Sequence, residues 1–128
     1  MTEQKFQSDT YAGYLDLTKK MYYYVWSFKD LDPGETTRVA CVMGACYSST
    51  KTHWANIRGL QGLIKYGCDE QLMSIKTWLA GGECLLLKNF YTGHLYRTKS
   101  PYYVSDNHVL TNQIFLAYLF DYGLEQIE

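Results

Sequence analysis

The sequence predicts an α+β domain: a small mixed sheet with two main helices. Three observations lead there. Aromatic and apolar β-prone runs occupy residues 21–28, 37–47 and 84–87. A helical period fills 69–80, and residues 107–120 form a longer stretch that is apolar nearly all round. Gly and Pro punctuate the gaps, as turns require. A chain of 128 residues fits one domain. At that size about 65–70% of the unfolded surface can be buried, enough for one core.

Residues 1–10 are polar and read as a loose tail, and 11–20 show little pattern. MYYYVWSF at 21–28 is a strand, and Asp32-Pro33-Gly34 is a turn. TRVACVMGACY at 37–47 is a second strand, with Gly44 and Ala45 small enough for close approach. Ser48 or Ser49 caps a short helix reaching Ile57, followed by a glycine-rich loop over 59–67. Over 69–80, Leu72, Ile75 and Leu79 share one face with Met73 beside them. Asp69 and Glu70 suit the positive end of that helix, and Gly81-Gly82 stops it. Residues 84–87 form a strand and 90–97 alternate as another would. The helix over 107–120, lacking a polar face, is expected to be buried.

Charge excludes some classes. Twelve basic and thirteen acidic residues give a net charge of −1, against the basic surface that nucleic-acid binding uses. No apolar run is long enough for a membrane span, and the N-terminus lacks the apolar core of a signal peptide. Cys41, Cys46, Cys68 and Cys84 form no C-x-x-C pair and read as buried free thiols, which points to the cytoplasm. Thirteen tyrosines are many for this length; core edges, interfaces and sugar faces all use such side chains.

The informative stretch runs from Gly67 to Arg97. It holds Gly67, Asp69, Ser74, Lys76, Trp78, Gly81, Gly82, Gly93, His94, Tyr96 and Arg97, then Pro101 and Tyr102. This ordered set resembles GT-A glycosyltransferases related to polypeptide N-acetylgalactosaminyltransferases and β-1,4-galactosyltransferases. These enzymes carry W-G-G-E-(N/D) opening a helix, then S-x-R-x-W-x-x-G-G, a strand, G-H-x-(F/Y)-R and P-Y. Met43-Gly44-Ala45-Cys46 is similar to the A-G-G-(L/C) strand of the family, and 112–121 to its closing helix. The likeness covers about residues 37–121.

The resemblance implies the acceptor-side half of a GT-A nucleotide-diphospho-sugar transferase fold. The implied activity is transfer of a sugar from a nucleotide donor, a UDP-sugar, to an acceptor hydroxyl. Glu70 stands where inverting galactosyltransferases carry their base, and Asp69 where a family glutamate meets sugar hydroxyls. The retaining relatives have an amide at the second position, so Glu70 implies inversion. Tyr66 replaces the tryptophan that walls the sugar pocket, and Gly44 lines it. His94 would be a ligand of Mn²⁺ or Mg²⁺, and Arg97 would clasp the diphosphate. Trp78 is expected on the buried side of its helix, and His53 and His108 in structural roles.

Without the resemblance, Asp69 and Glu70 read as helix-dipole partners, His94 as an ordinary surface or packed histidine, and Arg97 as a solvated arginine. The nucleotide-binding half and its D-x-D motif are not recognisable; Asp30-Leu31-Asp32 sits in a turn. The expected partners are therefore a missing nucleotide-binding half, a nucleotide sugar and a carbohydrate acceptor. Little activity and no tight metal binding are expected of these residues alone. Strand edges that such a half would cover favour pairing, so the tyrosine-rich 21–28 strand leads to the expectation of a homodimer or an aggregation-prone monomer. The alternative function is a non-catalytic binding or assembly module derived from the same fold.

Overall fold

In the computed structural model the described residues are 34–44, 46–90, 92–93 and 100–120, together with the strands Ala12–Asp16 and Tyr23–Ser27. The α+β class holds, but among the described residues the strands form two separate antiparallel pairs, not one mixed sheet. Strand β1 (Ala12–Asp16) pairs antiparallel with β2 (Tyr23–Ser27), in register from Ala12↔Ser27 to Asp16↔Tyr23. A separate ladder joins β3 (Thr36–Arg38) to β4 (Leu85–Leu87), again antiparallel, with Thr37 opposite Leu86. Val39 N–H donates to the Cys84 carbonyl and Lys88 N–H to the Glu35 carbonyl, both at 2.9 Å, extending that ladder at each end. Strand β1 falls in a segment without a sequence pattern. Ala, Gly and Asp are poor strand formers, and pairing with β2 overrides them.

The strand expected over 37–47 ends at Arg38 because its backbone changes partner. Beyond Val39 the chain runs along a helix, α2 (Asp69–Leu79). Val42 N–H donates to Ser74 Oγ at 2.9 Å, and the Ser74 hydroxyl faces the Glu70 carbonyl at 2.6 Å and Cys41 Sγ at 3.3 Å. One buried hydroxyl thus joins the 41–42 segment to the first turn of α2.

Helix α1 (Lys51–Asn56) is capped by Thr50, not Ser48 or Ser49. Thr50 Oγ1 accepts the His53 N–H at 3.1 Å, placing it at the Ncap position. His53 Nε2 lies 2.9 Å from the Thr77 hydroxyl, tying α1 to α2 in the structural role expected of it. On α2, Leu72 and Met73 are buried, but Leu79 is 73% exposed and Ile75 only partly covered. The inward face continues instead through Ser74 and Thr77. Trp78 is also exposed, contrary to expectation; its indole N–H donates to the Ala40 carbonyl at 3.1 Å.

Helix α3 (Asp106–Leu119) corrects the expectation of an all-round buried helix. Asn112, Leu116 and Ala117 are buried, while Leu110, Ile114, Tyr118 and Leu119 face outward. The buried side joins Cys68 and Leu72 in one cluster, with Leu63, Ile75, Phe115 and Phe120 packed around it. Asn112 sits in that apolar setting because its amide is fully used. Its Oδ1 accepts the Ile64 N–H at 2.8 Å. Its Nδ2 donates toward the carbonyls of Ile64 (2.9 Å), Tyr66 (3.1 Å) and Gly67 (2.9 Å). A buried amide with every group partnered is stabilising.

Cys41, Cys68 and Cys84 are buried free thiols as expected, but Cys46 is exposed. Burial pushes the Cys41 and Cys68 thiols up to about 12, so both stay protonated at neutral pH. Among the described residues no helix is long and apolar enough to cross a membrane.

Candidate functional site

The site is built at the start of α2. Cys68 occupies the Ncap position in the left-handed region (φ 68°) and makes no side-chain cap. The chain therefore turns sharply into the helix, and Asp69 and Glu70 fill its first turn. Both carboxylates sit at the positive end of the helix dipole, as the sequence suggested.

Glu70 packs against Gly44. A Cβ built on Gly44 would lie 2.1 Å from Glu70 Oε1, so the glycine makes room for the carboxyl. The Ser74 hydroxyl holds the two segments in this relation by binding Val42 N–H and the Glu70 carbonyl together. The Glu70 carboxyl is pushed up to about 7, first by burial, then by the Asp69 charge and a hydrogen bond with Asp69. Its own N–H and that of Gly44 act in the opposite direction by stabilising the anion.

Two tyrosines, Tyr47 and Tyr66, lie within reach of the pair's charge, and Tyr102 stands beside Tyr66. The Tyr47 phenol is raised by burial, then by the charges of Asp69 and Glu70. Tyr66 is raised by burial, by Tyr102, and then by Glu70 and Asp69. The Tyr66 and Tyr102 rings lie 5.8 Å apart between centroids, tilted by 45°. The predicted residues Gly44, Tyr66, Asp69 and Glu70 are thus brought together. Tyr47 was missed, and no spacing singled it out among thirteen tyrosines. Tyr102 appeared only as part of a motif, without a role.

His94 and Arg97 lie outside the described residues, as does most of the 90–97 segment expected to be a strand. Among the described residues no three His, Cys, Asp or Glu side chains group to hold a metal ion. A concavity lined by Thr36, Thr37, Arg38, Glu83 and Leu85 shares no residue with the Glu70 site. There Arg38 and Glu83 form an exposed ion pair.

Chemically, a carboxyl that titrates near neutrality can accept a proton from a hydroxyl and later release it. The neighbouring carboxylate can accept hydrogen bonds from further hydroxyls, and tyrosine rings can cover the apolar face of a sugar.

Gly44→Ala tests this packing directly. The Gly44 backbone lies outside the left-handed range, so alanine is not strained there, and its methyl meets the movable end of Glu70. The carboxyl is expected to move toward water and its pKa to fall by about one unit or more. At about pH 4, where Glu70 is largely protonated folded or unfolded, stability should change by less than about 1 kcal/mol. Carbon-13 NMR titration of Glu70 and urea unfolding give the two readouts; an unmoved titration would show that Glu70 does not pack on Gly44.

No protein-family model, no curated protein and no solved structure matches this chain.

Proposed function

We propose that the chain forms the acceptor-binding side of a glycosyltransferase that uses a nucleotide-sugar donor, a UDP-sugar, with Glu70 as the base. The convergence of Gly44, Tyr66, Asp69 and Glu70, with a carboxyl that titrates near neutrality, supports this reading. In the proposed step the acceptor oxygen forms a bond to the anomeric carbon. The bond from that carbon to the nucleoside diphosphate breaks, and the hydroxyl proton passes to Glu70. Attack from the face opposite the leaving group inverts the anomeric centre. Asp69 orients neighbouring hydroxyls, and Tyr66 provides a wall for the sugar ring. Four free cysteines fit a reducing, cytoplasmic setting.

A second reading has one observation in its favour. Tyr66 and Tyr102 are 47% and 57% exposed, as in a surface that holds a sugar without transforming it. A glycan array, followed by NMR mapping of any bound glycan, tests both readings. Saturable shifts at Tyr47, Tyr66 and Glu70, with Glu70-dependent transfer from a UDP-sugar, are the expected result. Binding there without such transfer favours the binding module, and shifts elsewhere discard both.

A further inference from the structure

We infer that Asn112, on α3 and remote in sequence, is a positioning residue for this site: it fixes the 64–67 corner that presents Tyr66 to Asp69 and Glu70. The inference rests on the reading above only where it assigns Tyr66 to the acceptor.

The corner is conformationally costly. Lys65 (φ 50°), Gly67 (φ 97°) and Cys68 (φ 68°) all lie in the left-handed region, two of them without the freedom of glycine. Such a segment persists only where its surroundings over-determine it. Asn112 does so from 45 to 48 residues away, binding Ile64 on both backbone groups and the carbonyls of Tyr66 and Gly67. It is 1% exposed, so water does not replace these bonds. The amide brings two protons to three carbonyls, which draws the corner around a single point.

Glu70 is held by other means. Leu72 N–H binds the Cys68 carbonyl at 3.0 Å, and Ser74 ties the Glu70 carbonyl to the 41–42 segment. Removing the Asn112 amide therefore releases Tyr66 while leaving Glu70 against Gly44. In the enzyme, acceptor binding weakens and the base remains.

Asn112→Ala is compared with Leu116→Ala, which empties the same core, next to Cys68, but leaves the Asn112 amide and its bonds to the corner in place. Should either fail to fold, Asn112→Ser and Leu116→Val form a milder pair. Proteins labelled on tyrosine rings and backbone amides are titrated by NMR from about pH 5.5 to about pH 8.5. In the wild type, both the Tyr66 ring and the Gly44 N–H follow the Glu70 titration. Expected for Asn112→Ala is a Tyr66 ring that no longer follows it, beside a Gly44 N–H that does. Leu116→Ala should keep both responses. In transfer assays the acceptor KM should rise about tenfold, with kcat within about threefold.

Tyr66 still following Glu70 in Asn112→Ala overturns the inference. So does loss of its response in both variants alike, and so does a fall in kcat at constant KM. A wild-type protein without transferase activity overturns the functional reading instead, and the NMR comparison still decides the role of Asn112.

Discussion

Glu70→Gln is expected to lower transfer by ~10²–10⁴-fold, the usual contribution of a general base, while making the fold more stable above neutrality. The two effects share one cause. The Glu70 carboxyl is held away from water and near Asp69, which raises it to about 7. In the unfolded chain a glutamate titrates near ~4.3. Between those values the folded protein holds a proton that the unfolded chain has released. Stability therefore falls as pH rises through that window and is level above it. Glutamine carries no charge and avoids this loss. With allowance for the part of the carboxyl that still meets water, the variant should gain about 1–2 kcal/mol at pH 8 and almost nothing at pH 4. Wild-type transfer should rise with pH through about 7, because only the ionised carboxyl accepts a proton. Urea unfolding at both pH values and a pH–rate profile check these expectations. Wild-type turnover in Glu70→Gln would leave Glu70 as a helix-terminal acid only. Equal stability at pH 8 would show a solvated carboxyl.

The largest loss of stability is expected for Gly62→Ala, about 2–5 kcal/mol. Its φ of 105° is one that side chains rarely adopt. A Cβ there would also lie 2.1 Å from Phe115 Cζ and 2.6 Å from Cε1. A ring packed on the core cluster cannot swing aside as the end of Glu70 can. The two causes separate in a double-mutant cycle. Adding Phe115→Leu should recover the steric part, and the backbone strain should remain. Chemical unfolding of the four proteins measures both; a cost under about 1 kcal/mol would mean that the ring does not sit on Gly62.

Much of α2 was legible in the sequence, because several local signals agreed. Acidic residues open it, apolar residues recur on one face, and Gly81 ends it with φ 76°. Legibility failed where a distant group decided the outcome. The Ser74 hydroxyl takes the Val42 N–H, and a run that reads as one long strand stops at Arg38. β1 depends on β2, whose influence composition does not reveal. The packing of Glu70 on Gly44 was not legible, since neither residue announces the other by spacing; the ordered likeness of several motifs assigned each a role but no contact between them. Asn112 was hidden for a related reason: within an apolar helix an asparagine signals little until the loop it binds is known.

Helix α3 shows what such a polar group contributes beyond bond energy. With apolar side chains on every side, α3 gains similar burial in several rotations about its own axis, so the hydrophobic effect alone selects none of them. Only one rotation places an amide against the Ile64, Tyr66 and Gly67 backbone. Every other takes the amide away from the Ile64 N–H and from the carbonyls it binds, and a buried group left unpaired there costs about 1–3 kcal/mol. Asn112 thus separates otherwise degenerate packings, and the fold acquires a unique rotational register from its least hydrophobic buried residue on that helix.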